Sequence, residues 1–243
     1  MKFKKDSILI NASLEDTMLQ EGGTTLIFAQ RALANTNIDC SDIKYFEIGP
    51  KHGIHTSVID LHEPKSITCV EAPNKFRNSR KFLEQNYRWI TSIKKEKFEM
   101  HYQDFDNFES KEKYGLIFYA GVIYHNTDQM SQLRKLHDIA DENAYMIFES
   151  STTRDDSLIN KNVIEVHYKP YSDLDIGAPQ TCIFHPSKTA CKSMLDITGW
   201  EIIETSDEYK DLHNKYRINI LCKKGSKRKN RHLTDENYKF PEL

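Results

Sequence analysis

Apolar and polar positions change their period repeatedly along the chain, and each change marks an element. Ser13-Leu-Glu-Asp16 reads as a helix start, and Thr24 to Asn35 places Leu26, Ile27, Ala29 and Leu33 at helical spacing. Gly22-Gly23 is expected to split this region into two pieces. From Lys44 onward, short apolar runs alternate with amphipathic ones. Strands are predicted at "KYFEIG", "SITCVE", "FEMHY", "YGLIFYAG" and "AYMIFES", with helices near Thr56 to Leu61, Asn74 to Gln85 and Asp128 to Ala140. Such alternation predicts an α/β fold, a doubly wound, mostly parallel sheet with helices on both faces. A polar, Tyr-rich stretch, residues 151–180, interrupts the pattern. A helix capped by Ser187 and stopped by Gly199 follows, and the strands "WEIIET" and "YRINILCKK" end the ordered part. The expected organisation is an N-terminal helical extension over 1–43, one domain over 44–225 with an insertion at 151–180, and a flexible tail over 226–243.

Composition narrows the setting. The chain has 243 residues and a formal charge of −2, which argues against a surface wholly devoted to nucleic acid. Five scattered cysteines sit mostly inside apolar runs and read as reduced thiols. With no signal-like or membrane-length apolar stretch, a soluble cytoplasmic protein is expected, without a membrane partner. Nothing in the sequence marks a particular oligomeric state.

The candidate chemistry lies where strands end. In a doubly wound sheet, ligands bind outside the carboxyl ends of the strands. In "FEIGPKHG", Gly49 and Gly53 permit a sharp turn and close approach of a ligand, and Glu47 puts a carboxylate at the crevice. Lys51 stands where a dinucleotide fingerprint has its second glycine, so a ligand with an ammonium group suits this turn better than a pyrophosphate. Glu71 ends the next strand and can accept two hydrogen bonds from a ribose diol, and Asp104 can accept from an adenine amino group.

This combination resembles the class I S-adenosylmethionine-dependent methyltransferases from about Lys44 to Lys223. "FEIGPKHG" is similar to their glycine motif, Glu71 to their ribose-binding acid and Asp104 to their adenine-side acid. The block "GLIFYAGVIYHNTDQMSQLRKLHDI" is similar to the "GVLYH" block of a subgroup with small-molecule and sugar methyltransferases and tRNA wobble-uridine carboxymethyltransferases. The resemblance implies S-adenosyl-L-methionine as cofactor and a seven-stranded sheet with an antiparallel last strand. It also implies cofactor contact by Ala120, Gly121 and Val122, with Tyr124 and His125 on the reaction side.

An imidazole titrates near neutral pH, so His125 is the candidate general base. His167, Tyr168, Tyr171 and His185 belong to the segment expected to cover the acceptor and are candidate substrate contacts. His52-x-x-His55 and Cys182-x-x-His185 have ligand-like spacing, but no second pair completes either, and no metal is expected. The leading expectation is methyl transfer to a small molecule, a sugar or other metabolite hydroxyl. A tRNA-modifying enzyme is the alternative, since six of the ten residues Lys223 to His232 are Lys or Arg. Nucleic acid is nonetheless the less favoured partner. A non-catalytic nucleoside-binding module is a third reading. An NAD-dependent reductase would need Tyr-x-x-x-Lys, which none of the twelve tyrosines provides.

Overall fold

The computed structural model describes residues 16–36, 38–50, 53–72, 95–153, 155–168, 182–207, 209–210 and 216–226. The predicted helix near Asn74 to Gln85 and the tail beyond 226 lie outside them, as does Tyr171.

The described residues form ten strands: β1 (Lys44–Ile48), β2 (Ser66–Glu71), β3 (Phe98–Tyr102), β4 (Tyr114–Ala120), β5 (Ala140–Ser151), β6 (Ile164–Tyr168), β7 (Cys182–Pro186), β8 (Trp200–Thr205), β9 (Tyr209–Lys210) and β10 (Tyr216–Lys224). The main path through the sheet runs β3-β2-β1-β4-β5-β10-β8, seven strands, with β9 added against the start of β10. β10 pairs antiparallel with both β5 and β8, and the other pairs along the path are parallel. The order reverses between β1 and β4, which makes the carboxyl ends of these two strands the natural crevice.

Central strands of such a sheet are covered on both faces, so they read as unbroken apolar runs. Every residue of β4 from Tyr114 to Tyr119 is buried. Alternate side chains feed two cores. Phe46, Ile117, Tyr119 and Phe148 pack on one face with helices α3 (Gln129–Ile139) and α4 (Lys188–Ile197). Tyr45, Leu116, Phe118 and Ile147 pack on the other with α1 (Asp16–Ala34). A fourth helix, α2 (Ile54–Asp60), follows β1. Ser187 caps α4 as expected, its hydroxyl accepting from the Ala190 N–H at 3.0 Å. Trp200 starts β8 fully buried, and its indole N–H donates to the Leu133 carbonyl of α3 at 3.1 Å.

Three expectations are revised. Gly22-Gly23 does not split the first helix, which runs continuously from Asp16 to Ala34. Phe28, Ala29, Ala32 and Leu33 on it are buried against the sheet, and docking of that face outweighs the ~1 kcal/mol helix penalty of each glycine. β5 begins at Ala140, directly after α3, with an irregularity in its pairing opposite Tyr114 and Leu116. The 151–180 segment is not wholly irregular: β6 forms an antiparallel pair with β7, a second two-stranded sheet.

His62, just after α2, is 3% exposed. Burial pushes its imidazole pKa below the ordinary value because the charged form is desolvated. The unfolded chain therefore binds the proton more readily, so stability is complete above about pH 6.5 and declines as the pH falls below it. Thermal unfolding at pH 5 and pH 8 should show a midpoint drop that shrinks in His62→Gln. An equal drop in both proteins would exclude His62 as its source.

Candidate functional site

The first crossover turn is built for close backbone approach. Gly49 has φ +67° and Gly53, at the N-terminus of α2, has φ +71°, values that favour glycine. The Gly49 N–H donates to the Val70 carbonyl at 2.9 Å, holding the turn against the end of β2. A Cβ added at Gly49 would lie 2.9 Å from Val122 Cγ2, so the loop after β4 occupies the space a side chain would need. Lys51 and His52 lie outside the described residues. Among the described residues, no three His, Cys, Asp or Glu side chains are placed to hold a metal ion.

Glu47 stands one residue before the end of β1 and is 1% exposed. Oε2 accepts from the Tyr45 hydroxyl at 2.8 Å and from the Thr56 hydroxyl, and Oε1 lies 3.0 Å from His55 Nδ1. Its carboxylate thus joins β1 to the first turn of α2. Burial, and then the Glu47 charge, push the Tyr45 hydroxyl and the Cys69 thiol well above their ordinary pKa values, so both stay protonated. Glu71 ends β2 half-buried, one strand over from the glycine turn. Asp104 is exposed, two residues past the end of β3, where it opens a 3-10 turn over Phe105–Asn107. Three acids thus follow one another at the carboxyl ends of β1, β2 and β3.

On the far side of the switch point, β4 ends in Ala120, followed by Gly121 at φ +74° and Val122, all half-buried. A 3-10 turn, Ile123–His125, then presents Tyr124 and an exposed His125. The Tyr124 ring lies 4.3 Å from that of His125 and 5.7 Å from that of the buried His185 on β7. His185 is in turn 5.1 Å from His167 on β6, ring to ring. Four sequence-predicted residues are thereby brought together by the β6–β7 pair. Tyr168 closes β6.

The same cluster contains groups that sequence reasoning missed. Glu149, near the end of β5, is 3% exposed, and its Oε1 accepts from Arg217 Nη1 of β10 at 2.7 Å. The Arg217 guanidinium also sits 5.8 Å from the Tyr124 ring centroid. Glu165 of β6 lies 2.9 Å from His167 Nε2 and accepts from the Thr153 hydroxyl. A signal for Glu149 existed: "AYMIFES" is an apolar strand ended by an acid, like "KYFEI" and "SITCVE". Nothing in the sequence links it to Arg217, which is distant in the chain.

No family model matches the chain, and no curated protein sequence does. Solved structures do match it. The 1,6-didemethyltoxoflavin N1-methyltransferase of Burkholderia thailandensis, with 1,6-didemethyltoxoflavin and S-adenosylhomocysteine bound, is similar at TM-score 0.57 over 87% of this chain and 86% of its own, with 8% identity. The chain has the class I methyltransferase fold. The N-methyltransferase NodS of Bradyrhizobium japonicum WM9, in complex with S-adenosylhomocysteine, matches at TM-score 0.58, 12% identity, 92% of this chain and 99% of its own. An S-adenosylmethionine-dependent methyltransferase of Mesorhizobium loti matches at TM-score 0.56, 11% identity, 80% of this chain and 97% of its own. At such identities the likeness speaks for the methyltransferase fold, and the site must be argued from this chain's own residues.

Proposed function

We propose that the protein transfers a methyl group from S-adenosyl-L-methionine to a small-molecule acceptor, a hydroxyl of a sugar or other metabolite. The observation that carries this reading is the convergence at one crevice of two positive-φ glycine turns, after β1 and β4, with a half-buried acid at the end of β2. The close backbone approach that the glycine turn at Gly49 permits suits a nucleoside, and Glu71 has the chemistry of a ribose-diol acceptor. Gly49, Gly53, Glu71 and Asp104 would hold the adenosine half. Ala120, Gly121 and Val122 would line the methionine half, and Glu47 would act there mainly by fixing the turn through His55 and Thr56.

When bound, S-adenosylmethionine supplies an electrophilic methyl carbon on a sulfonium. Displacement at that carbon is in line, so the protein's task is alignment and, for a hydroxyl acceptor, removal of one proton. Tyr124, His167 and His185 would position the acceptor, with Tyr168 and Tyr171 assigned to the same covering segment. His125 would take the proton. The block from Gly121 to His125 resembles that of a subgroup with small-molecule and sugar methyltransferases as well as tRNA enzymes, and it fits this reading.

Isothermal calorimetry with S-adenosylhomocysteine tests the reading. Binding is expected, and Glu71→Ala should weaken it by about 1.5–3 kcal/mol, the range for hydrogen bonds to a charged group. Absence of binding to the wild type would refute the assignment. Unchanged affinity in the variant would remove Glu71 from the site.

A further inference from the structure

Glu149 Oε1 accepts from Arg217 Nη1 at 2.7 Å, which fixes the orientation of a carboxylate that is 3% exposed. Oε2 takes no part in that bond, and an ionised carboxylate can use such an oxygen to accept from a ligand.

Where Oε2 points is fixed by a neighbouring gap. A Cβ added to Gly121 would stand 3.7 Å from Glu149 Oε2 and 3.8 Å from the Tyr124 hydroxyl. Two side-chain oxygens therefore flank the space that Gly121 leaves open. That space lies on the acceptor side of the switch point. β5 is separated from β1 by β4, whereas the glycine turn and Glu71 belong to β1 and β2.

We infer that Glu149 is a substrate-recognition residue whose Oε2, beside the Tyr124 hydroxyl, accepts a hydrogen bond from an N–H or O–H of the methyl acceptor. The inference rests on the methyl-transfer reading above and adds the chemical class of the substrate. The acceptor carries a donor hydrogen at or next to the reacting atom, as amines and alcohols do. An ionised carboxylate can only accept hydrogen bonds. Ethers and carboxylates are therefore rejected, the first because Oε2 stays unmatched and the second through like-charge repulsion.

The test uses the full chain saturated with S-adenosylhomocysteine. Sugars and primary or secondary amines are screened by thermal shift against O-methyl and carboxylate counterparts, and hits are quantified by calorimetry. Hits should be confined to compounds with the donor hydrogen. Glu149→Gln should weaken them about tenfold or more while S-adenosylhomocysteine affinity stays within about twofold. Because Glu149→Gln leaves Arg217 without its charged partner, the double variant Glu149→Ala/Arg217→Ala, which removes both charges, should show the same loss. The inference fails if donor-free compounds bind equally, if no protic compound binds the S-adenosylhomocysteine complex, or if either variant keeps full affinity for the hits. Failure of the wild type to bind S-adenosylhomocysteine would instead strike the methyl-transfer reading, and Glu149's role with it.

Discussion

Alanine in place of His125 is expected to lower methyl transfer to a hydroxyl acceptor by about 10²–10⁴-fold, the usual contribution of a positioned general base. Affinity for S-adenosylhomocysteine should hold, because the adenosine is proposed to bind at β1 and β2. His125 sits four residues beyond Gly121 in the same loop, exposed, with its ring against Tyr124. It can thus exchange a proton with solvent after taking one from an acceptor. The buried His185 is the internal control. If it positions the acceptor through Tyr124 as proposed, its replacement by Asn should raise KM more than it lowers kcat. Radiolabelled methyl transfer into a fractionated metabolite extract measures both. Full turnover in His125→Ala would leave that residue a structural role only.

Glu47→Ala should destabilise the fold by about 2–5 kcal/mol, since it leaves at least two buried hydroxyl donors, those of Tyr45 and Thr56, without their acceptor. For a chain of this size that amounts to a fall of roughly 5–20 °C in Tm. Tyr45→Phe removes one of the partners and keeps the carboxylate with the other two, so it should cost only about 1–1.5 kcal/mol. Denaturant unfolding of the two variants beside the wild type checks the order. A Glu47→Ala protein within about 1 kcal/mol of wild type would show that the carboxylate does not bind α2 to the sheet. The same buried network engages both oxygens of Glu47, with Tyr45 and Thr56 on Oε2 and His55 beside Oε1.

Much of the sheet was legible because burial on both faces imposes long apolar runs. "YGLIFYA" and "SITCVE" could hardly be read otherwise, and their spacing by amphipathic segments implied parallel crossovers. Ser187 was visible as a helix cap for a local reason: a short oxygen-bearing side chain can satisfy the first free N–H groups. The β6–β7 pair was not legible. "IEVHY" and "CIFHP" are short and half-exposed, so neither carries an apolar period strong enough to announce a strand. Ile164 and Val166 face outward on β6, while Glu165 and His167 are half-buried.

The sequence by itself determined the alternation of elements, the acids at or near the ends of β1, β2 and β5, and the glycines at the turns, because each follows from the period or the backbone freedom of a few neighbouring residues. Tertiary structure alone decided how those groups are used. It enclosed Glu47 among Tyr45, His55 and Thr56, and it set Arg217 against Glu149 across paired strands 68 residues apart in the chain. It also folded His167 and His185 back beside Tyr124. Such pairings depend on strand order and register, which no local pattern encodes, because a hydrogen bond or ion pair selects its partner by position in space and not by separation along the chain.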